Sequence, residues 1–127
     1  MGPTVPLDSL VRLAEVRATV RDGVLETAVV HVMVFGNVTL AGVPEELVAA
    51  VGPLTPGRPL VIEFPAFDGR PAVRERTTWE RTFGRVPIGA SLLMEDSEGD
   101  LEFADNQGDV ATRLGLAVDR PARITAA

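Results

Sequence analysis

The chain contains no cysteine, which excludes disulfides and thiolate metal sites and leaves the redox compartment unread. It also has no lysine, so all twelve cationic residues are arginine. A Schiff-base lysine and the lysine of a phosphate-binding P-loop are therefore excluded. With His31 as the single histidine, His-rich metal sites and two-histidine chemistry are ruled out. On a strand His31 shares a face with Val29 and Met33, poor company for a base, and it reads as a structural or rim residue. No apolar run approaches the roughly 20 residues needed to cross a bilayer, and Met1-Gly2-Pro3 lacks the basic and apolar regions of a secretory leader. A cytoplasmic location and no membrane partner are the default expectations. Positive charge is scarce as well. A net charge of −6 argues against nucleic acid, whose phosphates need a basic surface. None of the patterns G-x-S-x-G, G-x-G-x-x-G or Walker A occurs.

What is present is ordinary globular composition, with 46% apolar and 24% charged residues. The length of 127 residues suits one domain, or one half of a larger enzyme. Ten prolines and twelve glycines are spread evenly, which predicts many turns and therefore many short strands. Residues 1–22 are weakly patterned and linker-like, with Leu7, Leu10, Val11 and Leu13 forming either a helical turn after Asp8 or an extended segment. Residues 23–127 read as the folded domain. Val24 to Leu40 carries the strongest strand signal. Within it Ala28 to Phe35 is nearly continuous apolar sequence, which predicts burial on both faces. Gly36-Asn37 interrupts it as a bulge or a bend.

Val43 to Val51 predicts a short helix, with Pro44 at its first position, Glu45 and Glu46 in the first turn, and Gly52-Pro53 as the stop. Strands are predicted at Leu60–Phe64, Ala72–Arg81 with Trp79 inward, Ala90–Met94, the stretch after Gly99, and Arg120–Ile124. Thr82 to Gly89 is a loop, and Asp109 to Leu114 a second short helix ended by Gly115. About seven strands and two helices predict an all-β fold, an antiparallel barrel or a sandwich.

The acidic run Asp96, Glu98, Asp100, Glu102 superficially suggests calcium, but Gly99 falls two residues too early for an EF-hand loop. A solvated hairpin tip is the better reading, and no metal site is predicted. Asp96, Asp105 and Asp109 could be drawn into acid–base pairs, but nothing in their spacing fixes a geometry. No catalytic residue is assigned.

Two stretches together resemble the C-terminal domain of the S-adenosylmethionine (SAM) hydroxide adenosyltransferases, the SAM hydrolases related to fluorinase and chlorinase. One is His31 to Val38, with Phe35-Gly36-Asn37-Val38. The other is Thr82-Phe83-Gly84-Arg85-Val86-Pro87-Ile88-Gly89, then Asp96-Ser97 with Gly99, then Asn106-Gln107-Gly108 and Leu114-Gly115-Leu116. Pro3 to Leu13 also resembles the linker that follows the N-terminal domain in that family. The resemblance implies a small-molecule nucleoside ligand and no cofactor, SAM being the substrate cleaved by water to adenosine and methionine. It implies an N-terminal α/β domain, in the same or a separate chain, that supplies the water-handling residues, and a homotrimer with substrate bound between subunits. By position, Phe35, Asn37, Phe83, Asp105 and Gln107 would form the adenosine end. Met33, Ser97 and Glu98 would fall at the methionine end.

The chemistry is apt at the adenosine end, because an aromatic face suits a purine and an amide donates and accepts at once. The plainer reading is packing, with Phe35 and Phe83 as core aromatics and Asn37 serving the turn. Three positions depart from the family. Met33 stands where an aspartate meets the substrate's ammonium, and a thioether cannot replace a carboxylate there. Glu98 adds an anion beside the methionine carboxylate, and Asp105 adds one beside the adenine. The expectation is an adenosyl-binding half of a SAM hydrolase whose isolated chain is inactive. The alternative is a diverged, non-catalytic nucleoside-binding or assembly domain.

Overall fold

In the computed structural model, which describes residues 17–127, prolines and glycines punctuate eight short strands. β1 is Thr19–Arg21, β2 Val24–Val32 and β3 Val38–Leu40. Helix α1 (Pro44–Val51) precedes β4 (Arg58–Phe64) and β5 (Val73–Trp79). A 3₁₀ turn at Phe83–Arg85 leads into β6 (Ser91–Glu95), β7 (Leu101–Asp105), α2 (Val110–Leu114) and β8 (Pro121–Ala126). The sheet order is β1-β2-β3-β7-β6-β5-β4-β8, and a further β2–β8 pairing closes the strands from β2 to β8 into a seven-stranded barrel. Of the two architectures predicted, the barrel is the one adopted. Closure removes the free edges that a sandwich would leave.

The barrel is antiparallel except at β5 and β6, which run parallel where Trp79 meets Leu93. A parallel pair needs a crossover connection, and residues 80–90 supply it. The core is built by strand alternation: Leu25, Leu40, Ile62, Phe103 and Ile124 point inward and are fully buried. The Phe64 and Phe103 rings pack tilted at 39°, centroids 5.9 Å apart. Trp79 is buried, as its place in β5 predicts.

Arg120 is buried at 1% exposure. Its guanidinium donates to the carbonyls of Pro71 (2.8 Å), Gly115 (3.2 Å) and Phe64 (3.4 Å) and lies over the Phe64 ring. Burial, and then the nearby Arg70, lower its pKa from the usual arginine value.

The helices form where their caps dictate. Pro44 opens α1, Glu46 Oε1 accepts from the Val43 backbone N–H at 3.0 Å, and Leu47 is the helix residue buried against the barrel. Asp109 caps α2 and Gly115 ends it at φ 70°.

Two expectations need correction. Val24 to Leu40 is not one strand with a bulge or bend at Gly36-Asn37. The chain reverses over residues 33–37, and β3 pairs antiparallel to β2. The bulge in this hairpin lies between Val29 and His31. Nor is Ala28 to Phe35 buried on both faces: burial alternates along β2, Val34 is 94% exposed, and Phe35 is 84% exposed. The apolar run spans a strand end and a loop, which periodicity cannot separate. His31 is exposed on β2.

Thr19–Arg21, within the stretch read as linker-like, is β1 and pairs with β2. The readings on Asp8 and on Pro3 to Leu13 lie outside the described residues. Among the described residues no helix is long and apolar enough to cross a membrane.

Candidate functional site

The reversal between β2 and β3 is held from both sides. Met33 N–H donates to the Asn37 carbonyl at 2.8 Å and Gly36 N–H to the Met33 carbonyl at 2.9 Å. The Gly36 carbonyl in turn accepts from Ala111 N–H at 3.1 Å, tying the loop to α2. Gly36 has φ 92°, and a Cβ there would run into the Asp109 carboxylate. The position therefore requires glycine on two counts, left-handed backbone and close approach. Asp109 is itself fixed: Oδ1 accepts from Thr112 N–H at 2.8 Å and Oδ2 from the Thr112 hydroxyl at 2.9 Å. Those hydrogen bonds hold its carboxyl below the usual aspartate range. The rigid result projects Phe35 outward and Asn37 along the barrel wall.

The facing wall is the end of β7. Asn106 N–H donates to the Ala90 carbonyl at 2.8 Å, and Gly89 N–H donates back to the Asn106 carbonyl at 2.8 Å. The Asn106 side chain donates to the Val86 carbonyl at 2.9 Å. Asn106 thus ties the loop after the Phe83 turn to β7. Gln107 follows at φ 58°, exposed at the rim.

Asp105 is 4% exposed, and its charge is matched. Arg113 donates Nε to Asp105 Oδ2 at 2.7 Å and Nη2 to Oδ1 at 2.8 Å. The same guanidinium grips Glu75 at 2.9 and 2.6 Å. These paired bonds raise the Arg113 pKa above its already high ordinary value. The carboxylate is therefore a braced wall element, with both oxygens held by Arg113.

Between the walls lies an open groove of about 640 Å³ lined by Phe35, Asn37, Phe83, Asp105, Asn106, Gln107, Gly108 and Asp109. All five residues expected at the adenosine end meet in it. Neither Phe35 nor Phe83 belongs to the buried core, so the packing alternative is overturned for both. Met33, Ser97 and Glu98, expected at the methionine end, do not line this groove. Met33 lines a neighbouring cavity of about 470 Å³ with Arg70, Thr112 and Leu116. Ser97 and Glu98 lie in the β6–β7 turn, one strand length of about 13 Å beyond Asp105. Asp96 Oδ1 organises that turn by accepting from the backbone N–H groups of Glu98 (2.8 Å) and Asp100 (2.9 Å). Asp96, Glu98 and Asp100 make a hairpin tip whose leading carboxylate serves the backbone, whereas Glu102, the last of the acidic run, is buried on β7.

Three contributors are not assigned to the site by the sequence reading. Glu102, 7% exposed, accepts from Asn37 Nδ2 at 2.8 Å. Burial pushes its carboxyl above the usual glutamate range, the Asn37 bond opposes this, and the negative charge of Asp96 adds to it. A glutamate between Leu101 and Phe103 reads as an ordinary outward strand residue, so alternation gives no signal. Asn106 and Arg113 were visible only as parts of a turn and a helix.

The groove offers aromatic surface, an oriented amide and a braced carboxylate, which is equipment for holding a flat polar ring. Among the described residues no group of three or more His, Cys, Asp or Glu is placed to hold a metal ion.

The family model of the SAM hydroxide adenosyltransferase C-terminal domain matches residues 27–123. An uncharacterized conserved protein from Thermotoga maritima has a similar structure, with a TM-score of 0.74 and 21% identity over 86% of this chain and 38% of that one. A conserved hypothetical protein from Thermus thermophilus is 31% identical over 78% of this chain and 34% of that one, with a TM-score of 0.53. The chain thus spans little more than a third of the length of either. No curated protein matches.

Proposed function

Because the chain belongs to the SAM hydroxide adenosyltransferase C-terminal domain family, we propose that its groove binds the adenosyl end of SAM. The domain then acts as the binding half of an enzyme that cleaves SAM with water. In that reaction the water oxygen bonds to C5′ as the C5′–S bond breaks, methionine leaves as a neutral thioether, and the water's proton passes to a base. The reading assigns that base to an α/β partner domain seated over the open side of the groove, and a trimer is the assembly that would bring it there. The observation that carries the reading is the meeting of Phe35, Asn37, Phe83, Asp105 and Gln107 in one groove. Phe35, at 84% exposure, offers its ring to a ligand or a covering domain, since burial in its own core does not explain it.

A second reading is favoured by one specific observation. Met33 lines a neighbouring cavity and Ser97 and Glu98 lie in the β6–β7 turn, an arrangement that supports a domain which holds the nucleoside without the methionine. A nucleoside-binding or assembly domain without turnover fits that arrangement. Calorimetry with adenosine and with SAM separates the two, and an adenosine-release assay accompanies it. Tighter binding of SAM than of adenosine supports the half-enzyme, and equal affinities support the second reading. Rapid adenosine release by the chain alone would sink both.

A further inference from the structure

Glu102 sits on the outer face of β7, opposite Thr39 on β3 and Met94 on β6. Both neighbours are uncharged, and Asp96 is the charged group acting on it. Its hydrogen bond from Asn37 joins residues 65 positions apart. A carboxylate can only accept, whereas a side-chain amide has one accepting oxygen and one donating nitrogen. The bond therefore commits the Asn37 nitrogen to Glu102 and leaves Oδ1 as the acceptor for the groove that Asn37 lines.

We propose that Glu102 is a positioning residue that fixes the Asn37 amide with its carbonyl oxygen toward the groove. The site then selects a ring bearing an exocyclic amine over the same ring bearing a carbonyl. The selectivity rests on the nucleoside reading above, whereas the positioning does not. A carbonyl-bearing ring would set oxygen against oxygen, leaving both acceptors unpaired. Protonation of Glu102 reverses the arrangement. The acid O–H can then donate to Oδ1, and the amide turns its nitrogen to the groove.

The test uses the full chain and its E102Q and E102L variants. Calorimetry with adenosine and inosine should show wild type preferring adenosine by about tenfold, the worth of one hydrogen bond in an open site. E102L should bring the two nucleosides within about threefold of each other, while E102Q, whose carbonyl still accepts from Asn37, should keep the preference. Independently of ligand, the side-chain amide NMR signals of Asn37 should move with pH in wild type and stay still in E102Q. A wild-type preference retained in E102L, or Asn37 signals indifferent to pH, overturns the proposal. If wild type binds neither nucleoside while its Asn37 signals follow pH, the nucleoside reading and the selectivity fall together and the positioning stands.

Discussion

Replacing Arg113 by methionine removes the cation that braces the groove's rear wall. The side chains of Asp105, Glu75 and Arg113 are 4%, 18% and 41% exposed. A fully exposed pair is worth at most about 1 kcal/mol, whereas leaving a buried partner uncompensated costs about 3–5 kcal/mol. With one carboxylate buried and the guanidinium partly solvated, the expected loss is about 2 kcal/mol. For a domain of this size that is a fall in Tm of roughly 6–10 °C, measured by circular dichroism. The loss should shrink in the D105N background by about 1 kcal/mol, because the two side chains share one interaction.

The pH dependence gives an independent check. Burial alone would raise the Glu75 carboxyl, but hydrogen bonds from Arg113 and Ser91, with the Arg113 charge, outweigh it and hold the group below the usual glutamate range. A depressed folded pKa gives stability that is present above the unfolded carboxylate value and lost as pH falls through the folded one. The gap between wild type and R113M should therefore close in acid. A loss under about 0.5 kcal/mol, additivity with D105N, or a gap unchanged at low pH would refute the reasoning.

G36A forces a Cβ onto a left-handed backbone and against Asp109. It should cost roughly 1–3 kcal/mol in urea unfolding, and a variant as stable as wild type would disprove the stated role of Gly36. F35A should change stability by less than about 0.5 kcal/mol, the ring being exposed. It should nonetheless weaken adenosine binding about tenfold or more through lost stacking, and unchanged calorimetry would remove Phe35 from the site. Glu102 titrates above its ordinary value, so the folded protein holds its proton more tightly than the unfolded chain and stability declines as pH rises through that window. The Tm of E102Q relative to wild type should accordingly increase between acidic and neutral pH, and a difference independent of pH would contradict the burial argument.

Some of this protein is written in short stretches of sequence. Pro44 and Gly52-Pro53 bound α1, Asp109 and Gly115 bound α2, and Asp96 with Gly99 makes the β6–β7 turn. Each of these works through atoms within about four residues, which is the reach of caps and tight turns. The ordered motifs from Phe35-Gly36-Asn37 through Asn106-Gln107-Gly108 likewise named the groove's lining before any fold was in hand. They did so by resemblance, since no spacing rule brings residues 37 and 105 together.

What folds between those stretches was decided by pairings that local sequence does not encode. The run from Ala28 to Phe35 is apolar but for His31, and only the β3–β7 register and the tether to Ala111 turn its last residues outward. Barrel closure by β2 and β8, the Asn37–Glu102 bond and the Arg113–Glu75 grip join residues separated by dozens of positions. The converse holds for Ser97 and Asp105, near neighbours in sequence that sit at opposite ends of β7, about 13 Å apart. A strand carries the chain about 3.3 Å per residue in one direction, so closeness in sequence becomes separation in space. Partners become neighbours only where the sheet curls back on itself.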